Sequence, residues 1–452
     1  MTVRLLHYSD IENIYDDPAR AGRLAGLIDA QRDEETLVLG TGDNTAPGVL
    51  SLVTEGRQAL SLFRAIEPDA ETFGNHDFDY GPEATLDVVR ASPQTWVNAN
   101  TWDGDDLFGK DDGVVPHTVV TVGDTHVGLF GVTDPATPSL TPRAAALTFT
   151  DPIEAAKEAV AALTEAGVDH IVALSHLGGR DEELAVSVDV DVILGGHIHT
   201  ERIERIDGTL LTRPGVNGEV LLEVELDEKT VTRHEVADGP RDNAVTDSLR
   251  SQLADAGVHE VVGHVTEPLE RTERTAFRGE SRVGNFVADA YRWAGGADVG
   301  LQNSGGIRSG PALSGDVTVR DLISLVPFDE AVAVIELTGE ELEAVFEQAN
   351  GGNVDFGEPH WWHGHVSGAR LVYDHAAGEL ASATVDGEPI DSEATYTLAT
   401  TEYLLHASHE FPVLSAELQV DRLDTQYEVL AEYARTEGLA PTVEGRISRT
   451  GV

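Results

Sequence analysis

DVILGGHIHT, residues 191–200, runs from an apolar stretch (Val192, Ile193, Leu194) through two glycines into a pair of histidines. A short apolar run bounded by glycine reads as a buried strand. His197 and His199 alternate with Ile198, so in extended backbone both imidazoles point the same way. Four other stretches set Asp, Asn or His in a loop after an apolar run: SDIE (9–12), GTGDNTAPG (40–48), GNHDFDYG (74–81) and LSHLGG (174–179). A single GNHD is most often a turn, and a single His after a strand is most often hydrogen-bonded within its loop. Five such stretches in order point to one metal site assembled from strand ends.

Outward from these loops, the first half alternates strand-like runs with helical ones. VRLLHYS, TLVLG (36–40), HVGLFGV (126–132) and HIVALSH (170–176) read as strands. DPARAGRLAGLIDA, LSLVTEGRQALSLFRAI and DPIEAAKEAVAALTEAG read as helices, with Pro18 and Pro152 near helix starts, where a missing N–H costs little. This is α/β patterning, in which loops after the carboxyl ends of strands carry function. Short alternating strands follow between 200 and 235. The polar stretch ADGPRDNAVTD (237–247) reads as a boundary. The expected organisation is a catalytic domain over 1–236, a linker over 237–261 with an apparent helix at 248–256, and a second α/β domain over 262–452. Helices are expected there near 283–294, 339–349 and 425–437.

The 452 residues carry 80 acidic and 30 basic side chains, a net charge of −50, spread along the whole chain. Only three of the bases are lysines (Lys110, Lys157 and Lys229). A distributed acidic surface poor in lysine suits high salt, where self-repulsion is screened and charge keeps a protein in solution. It disfavours nucleic-acid polymers, which require basic stripes. The absence of cysteine removes disulfides and thiolate metal sites. No basic-then-apolar leader and no membrane-length apolar run is present, so the chain reads as cytoplasmic, with no membrane partner.

The five loops resemble the calcineurin-like metallophosphoesterases, whose pattern is D-x-H, GD, GNH[DE], H and GHxH. The second half resembles the 5′-nucleotidase family, which includes UDP-sugar hydrolases, so the likeness covers nearly the whole chain. It implies a four-layer α/β/β/α metallophosphoesterase domain followed by an α/β nucleotide-binding domain. It also implies two divalent ions and hydrolysis by in-line attack of a metal-bound hydroxide. One ion would take Asp10, Asp43, His199 and residue 12; the other would take Asp43, Asn75, His176 and His197. Asp43 would bridge, since a carboxylate has two oxygens to share. His76 would stabilise the transition state or protonate the leaving oxygen, with Asp79 fixing its tautomer.

Position 12 departs from this pattern: Glu12 stands where the family has His, and Asn13 replaces the following Gly. Glu12 is expected to ligate through oxygen. A carboxylate in place of imidazole hardens the site, which favours Mn²⁺-like ions over Zn²⁺ among Mn, Zn, Mg, Fe and Co.

In the second half, SRVGNFVADAYRWAGGADVGLQNSGGIRSG (281–310) resembles the family's substrate domain. Asn303 and Arg308 match residues that hold the nucleotide. Phe328, in VPF, matches a ring that stacks on the base. Tyr403 is the expected second ring, although the family's G-G-D-G is absent and His409 or Glu410 falls where its Asp would be. Arg274 and Arg278 lie near the family's further arginines. HWWHGH (360–365) reads as a loop entering the strand of VSGARLVYD and not as a metal site.

The reading is a two-metal 5′-nucleotidase acting on nucleoside monophosphates or related small phosphate esters, with the oligomeric state open. Its alternatives are a 2′,3′-cyclic nucleotide phosphodiesterase, a hydrolase of nucleotide sugars or other esters on the same scaffold, and a non-catalytic nucleotide-binding protein whose metal site has degenerated.

Overall fold

The computed structural model describes residues 2–354 and 360–451. They form two compact units, residues 1–256 and 257–452. No helix among the described residues is long and apolar enough to cross a membrane.

The first unit is built on two six-stranded sheets. One has the strands Arg4–Tyr8, Thr36–Thr41, Ala70–Thr72 and Thr95–Trp96 in parallel, extended by the antiparallel pair Val220–Glu225 and Thr230–Glu235. The other has the parallel strands Thr125–Thr133, His170–His176, Val192–Gly195 and Thr209–Arg213, with antiparallel edges His117–Val122 and Arg202–Ile206. The strand period of two explains the continuous apolar runs. Leu5, Leu37 and Leu39 from the first sheet meet Leu129, Val172, Leu174, Val192 and Leu194 from the second in one buried core. Phe130, Ile171, Ala173 and Ile193 point the opposite way, onto Ile153, Ala156, Ala159 and Leu163 of the helix Pro152–Ala166. Pro18–Gln31 is the crossover helix between the first two parallel strands, so the layers run helix, sheet, sheet, helix.

Two local expectations differ from the structure. The stretch 50–66 is not one helix: it divides into Val49–Thr54 and Leu60–Ile66, because Glu55 and Gly56 adopt left-handed conformations at φ 53° and 81°. The segment 237–261 contains the helix Asn243–Asp255, longer than the expected 248–256, and this helix packs on Pro18–Gln31. Asp242 caps it, accepting from Ala244 N and Val245 N, and donates its own N–H to Gly22 O at 2.8 Å. The contact is close enough that a Cβ on Gly22 would lie 2.1 Å from Thr246 Oγ1. Val245, Leu249 and Leu253 are buried, so this helix belongs to the first unit.

The second unit centres on a five-stranded sheet ordered Gly364–Ser367, Val299–Asn303, Thr395–Thr401, Ala331–Thr338 and Gln419–Thr425. Alternation again sorts its faces. Val332, Val334 and Ala399 pack on the helices Arg282–Gly295 and Gln426–Glu437. Ala333, Ile335 and Leu398 pack on Gly339–Gln348.

Candidate active site

In the first unit every predicted metal-site residue lies at or just beyond the end of a strand, His176 being the last residue of its own, and the strand ends bring them together. Three groups form, each with donor atoms within 4.8 Å of one another: Asp43 with His176 and His197, Asp10 with Glu12 and His199, and Glu12 with Asp43 and His76. Asn75 joins the first group, its Oδ1 2.9 Å from His197 Nδ1. Glu12, the departure from the expected pattern, is buried and places Oε1 3.0 Å from His199 Nε2.

The backbone is bent to achieve this. Asp10 (φ 49°), Glu12 (37°), Asp43 (53°) and His197 (72°) all occupy the left-handed region, which side chains other than glycine avoid. Such strain persists only where the surroundings over-determine it. Asp77 supplies much of that determination: its carboxylate accepts from Asp43 N (2.9 Å), Asn44 N (3.2 Å), Thr45 N (3.1 Å), Gly74 N (2.8 Å) and Thr45 Oγ1 (2.7 Å). One side chain thus fastens the GDN loop to the GNHD loop. Beneath it, buried Glu71 accepts from Tyr8 OH and Asn44 Nδ2, each at 2.5 Å.

The histidines have assigned roles at their outer nitrogens. His176 Nδ1 donates to Thr41 O at 2.7 Å, and its Nε2 lies 3.1 Å from Asp43 Oδ2. His197 turns Nδ1 toward Asn75 and sets Nε2 3.6 Å from Asp134 Oδ2. His76 donates from Nδ1 to Asp79 at 2.9 Å, and its backbone N–H donates to Asp43 Oδ1 at 2.7 Å. Asp79 is held in turn by Thr141 Oγ1 at 3.4 Å.

The electrostatics are those of crowded, buried, opposite charges. Burial, reinforced by Asp43, pushes the Asp10 carboxyl up to about 7 against the pull of His176. Burial alone would lower His176, but Asp43 beside it raises it to about 10. Burial and the His176 charge bring His197 down to about 3. His76 is raised to about 10, because Asp79 and Asp43 outweigh its burial.

Carboxylate oxygens, one amide oxygen and imidazole nitrogens form a donor set suited to Mn²⁺, Mg²⁺, Fe²⁺, Co²⁺ or Zn²⁺. The fit is good: three buried carboxylates and three histidines converge here, and divalent cations would relieve the repulsion among the acids.

The predicted substrate residues lie in the second unit. Arg308 places its guanidinium 5.0 Å from the centre of the Phe328 ring, and its positive charge acts on the Tyr403 phenol. Asn303 and Tyr403 both bind Glu410, through Nδ2 at 3.0 Å and the phenol at 2.6 Å. Arg274 and Arg278 are exposed, on and just after the short helix Glu273–Phe277.

Sequence reasoning did not single out Asp77, Glu71, Asp134 or His363. Asp77 lies inside the quoted GNHD and could have been weighed there. His363 belongs to HWWHGH, and its ring donates to Glu410 at 2.5 Å. The strand Gly364–Ser367 does follow that motif, as expected.

Residues 3–201 match the calcineurin-like phosphoesterase family, and residues 261–416 match the 5′-nucleotidase C-terminal domain. The trifunctional nucleotide phosphoesterase YfkN of Bacillus subtilis is 26% identical over 98% of this chain, which spans 34% of that protein's length. The 5′-nucleotidase of Diplobatis ommata is 26% identical over 92% of this chain and 82% of its own. The crystal structure of a 5′-nucleotidase precursor from Thermus thermophilus superposes with a TM-score of 0.82 at 25% identity, covering all of both chains.

Proposed function

The chain belongs to the 5′-nucleotidase-like metallophosphoesterases, which are metal-dependent phosphoester hydrolases, and from that membership we propose that it releases phosphate from nucleoside 5′-monophosphates. One observation carries the reading: seven ligand-type side chains on five strand-end loops converge beside a hydrogen-bonded His76–Asp79 pair.

Asp10, Glu12, Asp43 and His199 would hold one divalent ion, and Asp43, Asn75, His176 and His197 a second. Two such ions, when bound, supply charge for the phosphoryl oxygens and an acidified water. His76 holds a proton opposite Asp79, ready to stabilise charge on the phosphoryl group or to protonate the leaving oxygen. The three carboxylates of the Glu12 side harden the site, which favours Mn²⁺ over Zn²⁺. In the second unit Phe328 and Tyr403 would stack on the base, and Arg308, with Arg274 and Arg278, would meet the sugar and phosphate oxygens. Asn303 lines the same group. The net charge of −50 suits all this to concentrated salt.

Phosphate release from AMP, 2′,3′-cyclic AMP and UDP-glucose, measured with Mn²⁺ in molar KCl, tests the reading. AMP is expected to be the fastest substrate. Faster turnover of the cyclic ester or the nucleotide sugar would move the assignment to that chemistry. The His76–Asp79 pair argues against a protein that only binds, since binding needs no proton donor at that position.

A further inference from the structure

The two sheets of the first unit each supply part of the candidate metal site. Asp10, Glu12, Asp43 and Asn75 follow strands of the first sheet, whereas His176, His197 and His199 stand at or beyond strand ends of the second. Each proposed ion would be held from both sheets, so the ligand geometry depends on how one sheet is set against the other. The apolar core between them holds them together without direction, since burial has no preferred geometry. Register near the site takes directional contacts, and a buried histidine that the proposed chemistry does not use lies among them.

His7 belongs to Arg4–Tyr8 of the first sheet and is fully buried. Its Nδ1 is 3.0 Å from Thr212 Oγ1, on Thr209–Arg213 of the second sheet. Its Nε2 is 2.9 Å from Thr41 Oγ1, at the end of Thr36–Thr41 in the first. Thr41 Oγ1 donates to Gly195 O at 3.4 Å, back in the second sheet at the end of Val192–Gly195. A hydroxyl has one proton, so Thr41 Oγ1 accepts from His7 Nε2, and His7 Nδ1 accepts from Thr212 Oγ1. Burial, with the Arg213 charge nearby, brings the ring down to about 3 and keeps it neutral, a donor at one nitrogen and an acceptor at the other. The relay from Thr212 through His7 and Thr41 to Gly195 thus crosses between the sheets twice.

Its far end reaches the ligands. The Thr41 carbonyl accepts from His176 Nδ1 at 2.7 Å, and Thr41 is two residues before Asp43. Gly195 opens the loop that carries His197 and His199. That loop has no slack: a Cβ on Gly196 would lie 2.8 Å from both Asp10 Oδ2 and His176 Nδ1. A shift of Gly195 is therefore passed on to the histidines and to Asp10, whose Oδ1 accepts from His197 N at 3.0 Å.

We propose that His7 is a positioning residue of the metal site: by joining Thr212 to Thr41 through opposite nitrogens of one ring, it fixes the register of the two sheets and with it the convergence of Asp43, His176 and His197. The inference rests on the proposed metal site and adds to it a residue that touches neither ion nor substrate.

The test is calorimetric titration of Mn²⁺ alone into the full chain, stripped by a chelator, in molar KCl. A glutamine amide reaches where the outer nitrogen of histidine stands, and an asparagine amide where the inner one stands. His7→Gln still reaches Thr41 and should bind Mn²⁺ within about threefold of the wild type. His7→Asn reaches only Thr212 and should bind it roughly tenfold to a hundredfold more weakly. Thr41→Val cuts the same link from the other side and should show the same loss. His7→Asn combined with Thr41→Val should be no weaker than the weaker single variant, because both break one relay. Equal Kd values for the Gln and Asn variants, whether at the wild-type value or weakened alike, would overturn the proposal, as would losses that simply add. Thr41→Val at the wild-type Kd would overturn it even if the His7 variants do not fold. A wild type that takes up no Mn²⁺ fails the metal reading and the proposal with it, whereas uptake indifferent to these substitutions fails the proposal alone.

Discussion

Glu12 Oε1 lies 3.0 Å from His199 Nε2, and the same carboxylate is grouped with Asp10 on one side and with Asp43 and His76 on the other. The residue that departs from the pattern of its family therefore points inward, where a ligand would stand. Glu12→His should restore a nitrogen donor and move the preferred ion from Mn²⁺ toward Zn²⁺. Activity measured across Mn²⁺, Co²⁺, Mg²⁺ and Zn²⁺ checks this, and an unchanged order of metals would show that Glu12 does not ligate.

His76 is close enough to Glu12 and Asp43 to be mistaken for a ligand. Its Nδ1 hydrogen bond to Asp79 suits it instead to the proposed task of carrying a proton. His76→Asn should lower kcat by about 10² to 10⁴ while the metal content stays the same. Asp79→Asn should cost less, about tenfold to a hundredfold, because the ring remains but loses its charged partner. Loss of one ion per chain in His76→Asn would reassign the residue as a ligand.

Glu71 gives a pH dependence of defined sign. Burial pushes its carboxyl from the usual 4.5 up to about 8. Between those values the folded protein holds a proton that the unfolded chain has released, so this residue's contribution to stability falls as pH rises. Glu71→Gln has no such charge. The Tm of the wild type minus that of the variant should therefore decrease by a few degrees between pH 5 and pH 8.5. Parallel Tm curves would contradict the assignment.

Gly284, in the helix Arg282–Gly295, has no room for a side chain: a Cβ would lie 2.0 Å from His365 Nδ1. His365 is fully buried, and its Nε2 lies 3.0 Å from Ala276 O. Gly284→Ala should destabilise the second unit by about 2 kcal/mol or more, read in urea unfolding. A variant within ~0.5 kcal/mol of the wild type would show that the ring can yield.

The grouping of these Asp, Glu, Asn and His side chains was legible in the sequence because each sits within a few residues of an apolar run, and strand ends in such a fold converge. His197 and His199 were expected to share a side through the strand period, but the strand ends at Gly195 and His197 turns to φ 72°, so the loop and not the period sets their directions. What escaped depended on partners far away in the chain. The helix Asn243–Asp255 was partly hidden within a polar stretch, although Asp242 is a good cap, because its partner Gly22 is 220 positions earlier. The break at Glu55–Gly56 is a backbone event that helical periodicity does not register. His363 reads with HWWHGH as part of a loop, because its partner Glu410 is 47 residues away. Asp134 gave no signal, since it follows its strand as one unremarkable acid and only the fold sets it 3.6 Å from His197.

Phosphate release should depend on ions held by Asp10, Glu12, Asp43, Asn75, His176, His197 and His199. The decisive experiment follows phosphate release from AMP by the full chain in molar KCl, stripped of metal by a chelator and then reloaded with Mn²⁺, with bound metal counted in parallel. The expected result is no release when stripped, recovery on reloading, and two ions per chain at full activity. Undiminished release from the stripped protein, or none with any divalent ion, would contradict it.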